Sequence, residues 1–206
     1  MNEHKNRKQA IVYVLGCKVN QAEAAAITGI LEDNGYDVDQ ASDHPDLVLV
    51  NTCCVTSKAE GKSRRAVKRL RDKYPSARLV VTGCLAEINA VAISRIAEDS
   101  IILGTAEKDR FQDYIRSPEE RNGEPANAAA CITFADLGFR EIQGRSRSFL
   151  KIQDGCSQRC SYCIVPIARG PSRSMLPSVV VEHAKRNSAM GFAEVVLTGI
   201  HLGHYG

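Results

Sequence analysis

Apolar residues in this chain come in short β-branched runs, separated by longer stretches in which they recur at helical spacing. Ile11-Val-Tyr-Val-Leu15 is the first run and ends in Gly16-Cys17; residues 19–33 then carry apolar positions three and four apart, and Asn34-Gly35 supplies a stop. That order predicts a buried strand followed by a helix. The grammar repeats. Leu47-Val-Leu-Val50 runs into Asn51-Thr-Cys53-Cys54, a helix is expected over 58–74 with Pro75 ending it, and Arg78-Leu-Val-Val-Thr82 runs into Gly83-Cys84. A helix over 86–98, a strand at 101–103 and a helix over 108–115 complete the series. Strands alternating with helices of that length predict an α/β fold, a doubly wound parallel sheet with helices on both faces.

The pattern weakens over 117–147, where Ser117-Pro118 and Gly123-Glu-Pro125 interrupt any periodicity, and an interdomain connection is expected there. A strand at 149–153, a helix at 178–190 and a strand at 193–198 then open a second βαβ unit. The expected division is an N-terminal α/β domain over 9–116, a linker over 117–147, and the start of a β/α barrel, truncated, over 148–206. A barrel begun and not closed leaves the 193–198 strand as an edge.

Composition narrows the class. Of 206 residues, 44% are hydrophobic and 25% charged, with no Trp, which describes an ordinary soluble protein. The first nine residues are polar, the apolar run after them is too short for a signal peptide, and no stretch approaches the ~20 apolar residues of a membrane span. A cytoplasmic chain without a membrane partner is expected, where clustered cysteines are metal ligands more often than disulfides. Net charge is +3, but residues 58–74 hold eight basic against two acidic side chains, so +6 sits there and −3 is left for the rest. Such a helix is either a solvated face or a phosphate-binding one.

Eight cysteines carry the candidate chemistry. Cys156, Cys160 and Cys163 are spaced C-x3-C-x2-C in one short loop, so three thiolates can converge on one inorganic centre and leave a coordination position open. A structural zinc loop, or three unrelated cysteines, also accommodates that spacing. Cys17, Cys53 and Cys84 are far apart in sequence, yet each ends a predicted strand, and ligands of parallel sheets bind outside the carboxyl ends of the strands. Singly each reads as a core cysteine; together they predict a second metal or cluster site. Cys54 and Cys131 are left as bystanders. Cys131, His44, His183, His201 and His204 are the remaining side chains that could complete a closed site.

The loop, with Tyr162 before its last cysteine, resembles the cluster-binding loop of the radical S-adenosylmethionine (SAM) enzymes. Both cysteine sets, with Leu15-Gly-Cys-Lys-Val-Asn-Gln21, Asn51-Thr-Cys53, Thr82-Gly-Cys84, Phe149-Leu-Lys-Ile-Gln-Asp-Gly-Cys156 and Ala168-Arg-Gly-Pro-Ser-Arg-Ser174, resemble the tRNA methylthiotransferase family of that superfamily. The Gly-Cys-Lys-Val-Asn-Gln form is most similar to the branch acting on N6-threonylcarbamoyladenosine beside the anticodon. The resemblance covers nearly the whole chain but only the first half of such proteins, whose RNA-binding β-barrel would lie beyond it. It implies two 4Fe-4S clusters, an auxiliary one on Cys17, Cys53 and Cys84 and a SAM-binding one on Cys156, Cys160 and Cys163. One SAM would methylate sulfur at the auxiliary cluster and a second would yield the radical that activates C2 of the adenine. A tRNA substrate, an electron donor such as a flavodoxin or ferredoxin, and a sulfur donor are implied partners. Tyr162 is expected at the SAM adenine or packed on the loop, and Arg169 and Arg173 at SAM, at RNA or on a solvated surface. Met175 departs from the family form, which has an Arg there. The competing classes are a non-catalytic iron-sulfur or zinc module and an RNA-binding fragment.

Overall fold

A computed structural model describes residues 7–116, 128–131, 133–138 and 146–206. The first part runs β1 (Lys8–Val14), α1 (Lys18–Asp33), β2 (Tyr36–Val38), β3 (Leu47–Thr52), α2 (Ser57–Lys73), β4 (Arg78–Gly83), α3 (Cys84–Ile88), α4 (Ala90–Ser94), β5 (Ile101–Leu103) and α5 (Phe111–Arg116). Its five strands form one parallel sheet in the order β2-β1-β3-β4-β5. Strand order therefore reverses at β1/β3, the switch point where doubly wound sheets open a crevice.

Alternate residues of each strand face opposite sides, and both sides are covered. Val12, Leu47, Leu49 and Val80 pack with Ile27 and Leu31 of α1 and Phe111 of α5. Ile11, Val48, Val50, Leu79 and Val81 pack with Val67 and Leu70 of α2 and Ile93 of α4. β3 is buried at all six positions, which is why it reads as an unbroken apolar run.

Three elements differ from the sequence pattern. β2 is only three residues long, too short to show a period. The expected helix over 86–98 breaks at Asn89, whose non-helical backbone stops α3 and whose Oδ1 accepts from Ala92 N–H to cap α4. The helix expected from 108 starts as a 3₁₀ segment, Thr105–Arg110, and becomes α-helical only at Phe111.

The second part contains β6 (Arg147–Lys151), β7 (Gln153–Asp154), α6 (Val165–Arg169), β8 (Arg173–Ser174), α7 (Pro177–Ala189) and β9 (Glu194–Thr198). β6 and β9 pair in parallel across α7, the expected βαβ unit. The strand expected at 149–153 divides at Ile152, because β7 pairs antiparallel with β8 and brackets the cysteine loop. Within 117–147, Ala128 is buried and its N–H donates to Glu87, whereas 117–127, 132 and 139–145 lie outside the described residues. α1 packs on β6, and α3 on α6, so the two parts share one interface. Among the described residues no helix is long and apolar enough to cross a membrane.

Candidate functional site

β1, β3 and β4 are neighbours in the sheet, and the residues just past their carboxyl ends are Cys17, Cys53 and Cys84. Adjacent strands lie ~4.8 Å apart, so these three backbones fall within about 10 Å at one edge. Two glycines turn the chain there. Gly16, at φ +101°, lies so close to β3 that a Cβ on it would stand 3.0 Å from Cys53 Sγ. Gly83, at φ +96°, has room only for hydrogen: a Cβ would overlap the Thr52 carbonyl oxygen and stand 2.6 Å from Asn51 Oδ1. Cys17 is exposed at the N-terminus of α1, while Cys53 and Cys84 are buried.

The edge is tied down by polar side chains. Ser63 Oγ accepts from Cys53 N–H at 3.0 Å and donates to Cys53 O at 2.7 Å. Asn20 Nδ2 donates to Leu15 O at 2.7 Å and Thr52 O at 2.9 Å, so one side chain fastens the loops of Cys17 and Cys53. Burial pushes the Cys53 thiol up, the Val55 backbone hydrogen bond and Arg169 oppose the rise, and the nearby Cys84 and Cys17 add to it. Cys54 turns into the core under α2 and is pushed up by burial to about 12, an inert thiol.

In the second set, Cys156 is buried, Cys163 half-buried and Cys160 exposed. Cys156 N–H donates to Gly170 O, and Cys163 N–H to Cys160 O, both at 3.0 Å, which closes the loop as a turn. Buried Gln153 holds its base: Nε2 donates to Asp154 O, Gly155 O and Ser172 Oγ, while Oε1 accepts from His201 N–H at the end of β9. Tyr162 is 90% exposed and does not pack on the loop.

Arg169 is on no solvated surface. It is 1% exposed, donating to Glu23 Oε1 at 3.0 Å, Asp154 Oδ1 at 2.8 Å and Asn20 Oδ1 at 2.6 Å. Lys108 and Lys151 also reach Glu23, and Lys151 reaches Asp154 at 3.3 Å. Burial alone pushes the Glu23 carboxyl up, but Arg169, Lys108 and Lys151 outweigh it and hold it well below the carboxylate range. Asp154 behaves likewise: burial raises it, and Arg169 with Lys151 brings it down to about 2. Arg173 donates to the carbonyls of Cys131 and Arg169. Met175 is buried. Sequence reasoning missed Asn20, Glu23, Lys108, Lys151 and Gln153; the available signal was polar residues at 20 and 23, three apart on an otherwise Ala-rich helix face.

Among the described residues no three Cys, His, Asp or Glu side chains stand in coordinating geometry. The donor chemistry nonetheless fits thiolate-held clusters: each set offers three thiols, and behind the first lie two buried polar atoms without partners, Asn51 Oδ1 and Thr82 Oγ1, on register-paired residues. Residues 9–104 match the family model described as uncharacterized protein family UPF0004, and 150–202 match the radical SAM superfamily. The chain is 35% identical over 198 residues to the threonylcarbamoyladenosine tRNA methylthiotransferase MtaB of Bacillus subtilis, covering 94% of this chain and 44% of that protein. Against the protein of the same name from Chlamydia pneumoniae it is 36% identical over 192 residues, 93% of this chain and 43% of that one. The tRNA-2-methylthio-N(6)-dimethylallyladenosine synthase of Clostridium novyi is 31% identical over 218 residues, 100% of this chain and 47% of that protein. The chain spans about half the length of the curated relatives it matches. Two family models in tandem, and relatives that align across both, make the chain similar to the N-terminal part of the radical SAM tRNA methylthiotransferases.

Proposed function

We propose that this chain carries the two cluster sites of a tRNA methylthiotransferase that places a methylthio group on N6-threonylcarbamoyladenosine. The observation that carries the reading is the convergence of Cys17, Cys53 and Cys84 on one sheet edge, in a chain whose separate C-x3-C-x2-C loop is joined to that edge through Arg169. The relatives with the higher identities are MtaB proteins, which favours the threonylcarbamoyl branch.

In this reading Cys156, Cys160 and Cys163 hold one 4Fe-4S cluster with an iron left for SAM, and Cys17, Cys53 and Cys84 hold the other. When bound, the reduced open-site cluster with SAM supplies one-electron cleavage chemistry that no side chain can. The protein positions it. Ligation needs thiolates, and the buried Arg169 charge acts on Cys53 in the direction that favours one. Ser63 and Asn20 fix the strand-end loops, Gln153 fixes the SAM-side loop, and exposed Tyr162 is free to meet the cofactor's adenine. Arg169 and Arg173 act as positioning residues. An electron donor such as a flavodoxin or ferredoxin and a sulfur donor are the partners this chemistry requires.

Anaerobic reconstitution with iron and sulfide tests it. About eight irons per chain are expected, falling to about four in either the Cys17/Cys53/Cys84→Ala or the Cys156/Cys160/Cys163→Ala variant. Only the second variant should lose the change in the paramagnetic spectrum on SAM addition. About one or two zinc ions per chain, with no response to SAM, would instead identify a closed metal module.

A further inference from the structure

The eight basic residues of α2 are not equivalent once folded. Arg64 pairs with Glu60 and Lys68 with Asp72 along the helix, while Arg71 turns back to Asp99 and the carbonyls of Pro75 and Ala77. Lys62, Arg65, Arg69 and Lys73 have no carboxylate partner among the described residues. Their spacing of three, four and four places them in one stripe on a single helix face, about 16 Å long at 1.5 Å per residue. All four line a groove of ≈ 950 Å³ whose floor is Tyr13, Leu15 and Ala66. Among its described lining residues the one carboxylate, Asp72, already faces Lys68.

The groove leads somewhere. Leu15 lies two residues before Cys17, and Lys62 is next to Ser63, which holds Cys53. At mid-groove the Arg69 guanidinium lies over the Tyr13 ring, 5.3 Å from its centroid. A row of cations without carboxylate partners, with Arg69 stacked on Tyr13 and Lys73 over Tyr74, suits a single-stranded or looped nucleic acid, with phosphates on the stripe and a base on the stacked Arg69–Tyr13 pair. It does not suit a lipid surface. Interfacial helices expose an apolar face, whereas that of α2, with Ala66, Val67 and Leu70, is buried on the sheet.

We infer that the stripe Lys62, Arg65, Arg69 and Lys73, with Tyr13 beneath it, is an RNA-docking groove that delivers an RNA strand to the Cys17/Cys53/Cys84 edge. The choice of RNA rests on the function proposed above; the groove itself rests on charge and shape.

The test is fluorescence anisotropy of the whole chain with a labelled, unmodified RNA hairpin of anticodon-arm size, titrated at several KCl concentrations. Arg65→Glu/Arg69→Glu should weaken binding at least tenfold near 0.1 M salt and flatten the logarithmic salt slope by about 1.5, the loss of two phosphate contacts. Arg65→Gln/Arg69→Gln should fall between that variant and wild type. Arg95→Glu/Lys185→Glu, with the same net charge change on exposed sites elsewhere, should change affinity less than twofold. Equal weakening by both reversals, no weakening by either, or wild-type binding to phosphatidylserine vesicles but not to the hairpin would each overturn the groove. Iron content separates the two readings: equal RNA affinity of the two charge-reversal variants with about eight irons retained sinks the groove alone, and failure of the wild-type chain to load iron sinks the proposed function alone.

Discussion

The Arg169 guanidinium donates to the Glu23 carboxylate at 3.0 Å, across 146 residues of sequence, and both side chains are 1% exposed. Glu23 sits on α1, one turn after Asn20, and Arg169 closes the short helix that follows Cys163. One buried contact therefore ties the strand-end cysteines to the cysteine loop. Burying two charges is repaid only when each has partners, and here Asp154, Lys108, Lys151 and Asn20 complete the set.

Breaking this network on one side should be severe. Arg169→Met takes the buried guanidinium from Glu23 and Asp154 and leaves them Lys108 and Lys151, and a loss of about 3–5 kcal/mol in urea-unfolding free energy is expected. Adding Glu23→Gln to that variant should cost less than the Glu23→Gln change costs alone, because the Arg169–Glu23 interaction is already gone. Additive losses in the double variant would show that the pair does not act as one.

The same network sets an acid limit. Glu23 and Asp154 have folded-state pKa values below those of the unfolded chain, which lie near about 4. Their contribution is therefore complete above about pH 5 and is lost as pH falls toward the Asp154 value of about 2. Urea midpoints of the cluster-free protein should drop steeply between pH 5 and pH 3, marked by about one proton per carboxylate. Glu23→Gln should flatten that drop; an unchanged slope would remove Glu23 from the cause.

At the sheet edge, Gly83 should tolerate no side chain. Gly83→Ala combines a positive φ with overlap on the Thr52 carbonyl and Asn51 Oδ1, and a loss above about 2 kcal/mol is expected. Gly35→Ala is the control: its φ is +84°, but nothing lies within 4 Å, so strain alone of about 1 kcal/mol remains. Equal losses would mean that close approach of β4 to β3 plays no part.

Thiol mapping of the cluster-free protein should follow burial. Exposed Cys17 and Cys160 are expected to alkylate first at neutral pH, and Cys54, buried and pushed up to about 12, last. Asn20→Ala removes the bonds to Leu15 O and Thr52 O and should speed modification of Cys53 severalfold, read by mass spectrometry. An unaltered Cys53 rate would show that Ser63 alone holds that loop.

Local pattern determined much of this protein. β-branched runs ending in cysteine gave β1, β3 and β4 within three residues, because a strand covered on both faces is written as an unbroken apolar run. The parallel α/β class followed from the helices between them, and both cysteine sets were visible as residue type and position. Tertiary structure alone decided which polar groups meet. Nothing near Glu23 in sequence announces Arg169, since the partner of a buried charge is chosen by how α1 packs against the second part. Likewise the basic count of α2 was legible, but the separation of its paired residues from the stripe at 62, 65, 69 and 73 depends on Asp99, Tyr13 and the groove between helix and sheet. The break at Asn89 and the short β2 were hidden because a turn or three residues of strand carry too little periodicity to outweigh the packing around them.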